Sequence, residues 1–268
     1  MKTLRDDVTK HPISNILIVI MMTIGLIAIP TDWLIKLIGE TKTVEFLVNI
    51  VFRLIIISVM VYLVFLYGYN KVFKLKTTLK ALLISIPAFL VAINNFPILP
   101  LLTGEVVITA NFTEILLFFI YSLTVGAFEE ISFRGLVFLM CYENLKEKKM
   151  GLFWSVALSS SLFGIVHLVN LLAGSGIVPV LMQIGYSFLI GSMCAIVMIK
   201  TGDIFIPILL HGIFNFGGLI VENLGYGNIW TLGAIILTAV VGVIVAIYMI
   251  IVLLKSNGNQ LDKILDKN

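Results

Sequence analysis

The chain has 268 residues, 60% of them hydrophobic and 12% charged, with a mean hydropathy of +1.11. A soluble domain is nearer half apolar and a quarter charged, so the composition excludes that class and indicates an integral membrane protein. The net charge of +3 does not point to nucleic acid, because the basic residues sit at the ends of apolar runs rather than in one patch.

Apolar runs near 20 residues recur along the chain, which predicts helices; a barrel would need alternating strands of ~9–11 residues. Spans are expected at about 13–30, 46–67, 80–99, 115–140, 152–172, 177–199, 203–222 and 229–254. Charge, Pro and Gly mark their ends, as at Pro30-Thr31-Asp32, Lys146 to Gly151 and Gly225-Tyr226-Gly227-Asn228. The expected fold class is an all-α membrane protein, a polytopic bundle of about eight transmembrane helices. Three segments are expected: 1–112 with helices 1–3, 113–223 with helices 4–7, and 224–268 with helix 8 and a cytoplasmic tail.

The amino terminus carries Lys2, Arg5 and Lys10 before an apolar run, and reads as an uncleaved first span. With that end inside, fourteen Lys or Arg fall in inner segments (Lys2, Arg5, Lys10, Lys71, Lys74, Lys76, Lys80, Lys146, Lys148, Lys149, Lys200, Lys255, Lys263, Lys267) and only Lys36 and Lys42 in outer loops. This bias predicts both termini in the cytoplasm.

Spans one to three hold few chemical groups. Arg53 is expected to snorkel outward or to pair with Glu45 or Glu114. Asn94 and Asn95 are expected to cap a helix or bond to a neighbouring one. Cys141 and Cys194 make no metal or disulfide framework and read as small packing residues.

Span four holds Phe128-Glu129-Glu130-Ile131-Ser132-Phe133-Arg134, two carboxylates and a guanidinium inside an apolar run. A charge near mid-membrane costs at least ~2.5–3.5 kcal/mol, so such a group is a functional hypothesis by default. Glu130 and Arg134 are four apart and share a helix face in the favourable order, so an ion pair is expected. Glu129 is rotated ~100° from that face. A buried carboxylate with no cation beside it suits a general base. The bland reading is a polar staple between helices, for which one acid would suffice.

Span five contributes Phe163 and His167 at i, i+4, with Gly164 removing bulk beside them. Span seven contributes His211 and Asn215 at the same spacing, two donors side by side that suit an oxyanion hole. Pro207 stands four residues before His211 and is expected to bend that span. Taken singly, each pair reads equally well as a polar helix contact.

Together they form a hydrolytic constellation. Counted at 1.5 Å per residue, Glu129, His167 and His211 share a depth band somewhat inside the midplane, from which an opening to the cytoplasm is expected. Glu129, assisted by His167, would activate a water; His211 and Asn215 would stabilise the oxyanion; Glu130, Arg134 and Phe163 would hold the site in register. No cofactor is expected. The alternative is Zn²⁺ on Glu129, His167 and His211, although no His-Glu-x-x-His motif is present.

These residues resemble the CAAX-protease and bacteriocin-processing (CPBP, or ABI) family of intramembrane proteases. Its three signatures are Glu-Glu-x-x-x-Arg, Phe-x-x-x-His and His-x-x-x-Asn/Asp, and here they read Glu129-Glu130…Arg134, Phe163…His167 and His211…Asn215. The Asp203-Ile204…Pro207 lead-in is also similar, and the resemblance spans roughly 115–222. It implies a helical-bundle endopeptidase with Glu129 and His167 as the water-activating pair and His211 and Asn215 as transition-state stabilisers. The family has been described both as metalloproteases and as glutamate proteases. Its bacterial members are linked to peptide maturation, bacteriocin self-immunity and signalling. Compact loops and the Lys-over-Arg, Ile-rich usage point to a bacterial member, multi-pass in the cell membrane. The expected partners are membrane lipid and a membrane-associated peptide or protein substrate, with no nucleic acid.

Two other classes compete. One is a regulatory module that captures a hydrophobic peptide without cutting it; the other is a transporter, against which stands the lack of an inverted repeat. Loss of function in Glu129→Gln and His167→Ala with the protein still accumulating would separate an enzyme from a module.

Overall fold

The computed structural model describes residues 4–74 and 77–266. Lys2, Lys76 and Lys267, counted above, lie outside the described residues. The principal helices are α1 (Pro12–Ile27), α2 (Lys42–Leu66), α3 (Ile86–Asn94), α4 (Phe112–Ser132), α5 (Gly151–Ile165), α6 (Ile177–Thr201), α7 (Phe205–Leu224) and α8 (Leu232–Leu254). Among the described residues, seven helices are long and apolar enough to cross a membrane, and the protein is an all-α polytopic membrane bundle.

The expected third span, 80–99, is the one that forms no single long helix. It is broken into Leu79–Ile84, α3 and Ile98–Leu102. Pro87, Pro97 and Pro100 lack the N–H that an uninterrupted ladder needs. Ser85, at the first break, turns its hydroxyl back to the Ala81 carbonyl at 2.8 Å.

The two ends of the bundle differ. At one end the first and last described segments are tied down. Leu4 N–H donates to the Leu66 carbonyl at 2.9 Å. Arg5 pairs with Glu143 at 2.7 Å, and the Tyr69 hydroxyl donates to the same carboxylate at 2.7 Å. Burial and the Glu143 charge push the Tyr69 hydroxyl well up, so it remains a donor. The short helix Asn259–Leu265 buries Leu261, Ile264 and Leu265 against this end. At the other end β1 (Val106–Ile108) pairs antiparallel with β2 (Gly225–Gly227) in a small ribbon. Beside it a capping box starts α4: Asn111 accepts from Glu114 N–H, and Glu114 accepts from Asn111 N–H, each at 3.0 Å.

The core follows α4 and its continuation. Every residue from Glu130 to Tyr142 is buried, through a π-helical turn at Phe133–Phe138. Helix α4 lies most closely on α7 and α2. At the α4–α7 crossing the backbones touch: a Cβ on Gly126 would stand 2.7 Å from Gly212 N, and one on Gly212 would stand 2.9 Å from Leu123 Cα. Only glycines allow this approach, and it brings the carboxylates of α4 against His211 of α7. Helix α8 is the opposite case, burying only Val245, Met249 and Leu253, one stripe at i, i+4, i+8.

Among the described residues Arg53 pairs with neither Glu45 nor Glu114. Its guanidinium lies over the Phe128 ring, 5.5 Å from the centroid. The close α2–α4 contact offers that ring face, which an apolar environment makes attractive to a cation.

Candidate active site

The three motif helices converge on His211. Its Nδ1 is 2.7 Å from Glu130 Oε1, and its Nε2 is 3.2 Å from Glu129 Oε2. Glu130 Oε1 is also 3.0 Å from an Arg134 guanidinium nitrogen, the expected i, i+4 ion pair. Glu130 and Arg134 are fully buried. A bare carboxylate there would be prohibitively costly, and two charge-assisted partners make it tolerable.

Phe163 is the post around which the site is arranged. The Arg134 guanidinium lies over its face at 4.7 Å. The rings of His167 and His211 meet it edge-on at 5.3 and 5.6 Å, and Phe133 packs on it at 4.9 Å. Gly191 of α6 leaves the space for the guanidinium, since a Cβ there would stand 2.4 Å from an Arg134 nitrogen. Gly164 brings α5 against α6 in the same way, with its Cβ position 2.9 Å from the Ile184 carbonyl oxygen.

Glu129, His167, His211 and Asn215 line one cavity of about 260 Å³. The Glu129 side chain is 15% exposed, against 0% for Glu130. His167 sits in a 3₁₀ turn, Val166–Leu168, that ends α5 rather than within a regular helix. Its Nε2 is buried and has no hydrogen-bond partner among the described residues. A buried ring nitrogen with no partner, on the wall of a cavity, is poised for a ligand or a water.

Residues 111–217 match the family model "Type II CAAX prenyl endopeptidase Rce1-like". Over that segment the chain is similar to this family. No curated protein and no solved structure matched the chain. The matched residues contain all three motifs, and the family is one of membrane proteases, so the chemistry to be accounted for is hydrolysis of a peptide bond.

Sequence reasoning brought Glu129, His167, His211 and Asn215 together, as the cavity does, but missed two contacts. Glu130 was expected only to brace Arg134, yet it also holds His211. Glu129 was expected to lack a cation and to work with His167, yet its nearest polar partner is His211 Nε2. Neither contact is legible from i, i+4 spacing, because both join α4 to α7. The cavity lining also takes in Tyr186 and Ser187 of α6 and Val241 and Val245 of α8. The cavity runs past Asn215, Gly218 and Leu219 toward Trp230 and the ribbon end. Below Glu129 the other direction is filled by buried 130–142 and 193–199.

The alternative zinc site would need its three ligand atoms brought together around one point. Among the described residues, the trio whose ligand atoms lie within 4.8 Å of one another is Glu130, Cys194 and His211, not Glu129, His167 and His211. The Arg134 cation already occupies Glu130 Oε1 and repels a second cation there.

Proposed function

We propose that this protein is an intramembrane endopeptidase of the glutamate type, acting on a membrane-associated peptide or protein in the cell membrane of a bacterium. Its setting is peptide maturation or bacteriocin self-immunity. The observation that carries the reading is the placement of His211 between two carboxylates, one closed off with Arg134 and one facing the cavity. Glu130 fixes the imidazole by its Nδ1, so Nε2 must face Glu129 and the cavity. With a proton on each ring nitrogen, His211 donates to both sides. The set Glu129, Glu130, Arg134 and His211 is then neutral overall, which suits a low-dielectric site.

The chemistry follows. A water in the cavity gives a proton to the Glu129 carboxylate, and its oxygen bonds to the carbonyl carbon of the scissile peptide. The developing oxyanion accepts from His211 Nε2–H and from the Asn215 side-chain amide, one helical turn further along α7. The C–N bond then breaks, and the proton held by Glu129 passes to the leaving amine, leaving a carboxylate and an amine. His167, with its open Nε2 on the same wall, orients the water. Phe163 keeps both imidazoles and the guanidinium in place without competing for protons.

The test compares the peptides and membrane-protein termini of cells carrying wild-type protein with those carrying Glu129→Gln at equal abundance. Defined cleavage products that vanish with the substitution support the reading and identify the substrate. An unchanged pattern with a persisting wild-type phenotype would leave the non-cutting peptide-binding module as the better account.

A further inference from the structure

The catalytic cavity has a direction. From His211 to Leu219 its wall follows α7 for eight residues, about 12 Å of helix rise. At its far end stand Asn94, Asn95 and Trp230. A second cavity of about 120 Å³ shares these three residues and continues to Pro97–Pro100, beside the ribbon. The two adjoin at these residues, in line from Glu129 to the ribbon end.

The neck between the two cavities is polar. Asn95 donates its side-chain amide to the Phe214 carbonyl at 2.7 Å, and Gly218 leaves room for it. The Asn94 amide, beside it on the wall, makes no hydrogen bond among the described residues. Its donor and acceptor match the N–H and C=O of an extended chain. Trp230, 45% exposed, supplies an apolar face with a single donor. All three lie outside the matched segment 111–217.

The bundle also has a charge direction. Lys71 and Lys146 reach Asp266 and Asp262 at the end that holds the first and last described segments, with Arg5 and Lys263 beside them. The ribbon end carries Lys36 and Lys42. Basic residues mark the cytoplasmic side. Resting on the endopeptidase reading above, we propose that the substrate is a peptide segment presented at the non-cytoplasmic face of the membrane. It enters at the ribbon end and is held in the neck by Asn94 and Trp230 on its way to Glu129.

The test uses full-length protein in intact cells. Cys141 and Cys194 are both buried, so a membrane-impermeant maleimide reports on an introduced cysteine. Trp230→Cys probes the neck, and Tyr226→Cys, exposed on β2 and outside both cavities, is the companion that reports the side even if the first variant fails to fold. Both are expected to label without permeabilisation. Modification should remove the cleavage products of Trp230→Cys relative to its unmodified form and leave those of Tyr226→Cys. Labelling only after the membrane is opened overturns the proposed face. Labelled Trp230→Cys with undiminished products overturns the proposed path. Products that are insensitive to Glu129→Gln would instead overturn the endopeptidase reading, while the labelling would still report the side.

Discussion

Glu129 and Glu130 are adjacent in the chain and reach opposite sides of one imidazole. Glu130 lies on the closed side, with no exposure and two partners, Arg134 and His211. Glu129 lies on the open side, partly exposed to a cavity, with His211 Nε2 at 3.2 Å. A turn of ~100° between neighbours is enough to give one carboxylate a structural task and the other a chemical one. The lesson is that a doubled acid in a membrane helix need not be redundant, because each residue meets a different dielectric.

The sharpest way to break this comparison is Glu129→Gln. Removing the base should lower cleavage products by roughly 10²–10⁴-fold with unchanged protein abundance. Glu130→Ala should do the reverse. It leaves the Arg134 and His211 groups without their shared carboxylate in a dry interior, a loss of ~3–5 kcal/mol that should appear as poor accumulation and a lowered unfolding temperature in detergent. If Glu130→Ala accumulated normally, the structural assignment of that carboxylate would fail. Asn215→Ala removes one oxyanion donor, and roughly 10²–10³ in rate should go with it, read as product yield at matched abundance. Gly126→Val places a side chain where Gly212 N now stands 2.7 Å from the Cβ position. Parting α4 from α7 should cost ~1–3 kcal/mol and weaken the Glu130–His211 contact, so stability and cleavage should fall together. The smallest effect belongs to the neck. Asn94→Ala should reduce product about tenfold, the loss of one backbone hydrogen bond worth ~1.4 kcal/mol.

Much of the fold was legible in the residues. Seven long apolar helices follow from run length, and the Glu130–Arg134 pair follows from i, i+4 spacing. The third span was misread as one helix, although Pro87, Pro97 and Pro100 were visible in it, because an apolar run reports burial and not continuity. The Arg53–Phe128 contact was not legible, because no spacing rule reveals that a ring of another helix will stand beneath the guanidinium. At the site, the residue types in Glu129, His167, His211 and Asn215 pointed to hydrolysis. The direct contact between Glu129 and His211 did not follow from them.

By itself, then, the sequence determined the membrane class, the helices and the set of polar groups available for catalysis. Those depend on composition and on periodicity within single helices. Only the tertiary structure decided which carboxylate faces the cavity, which imidazole nitrogen each one meets, and toward which end the cavity runs. Those depend on how helices distant in sequence cross, here set by Gly126 against Gly212 and by Gly191 beneath Arg134. A distance between two helices is a property of their packing and is written in neither helix alone.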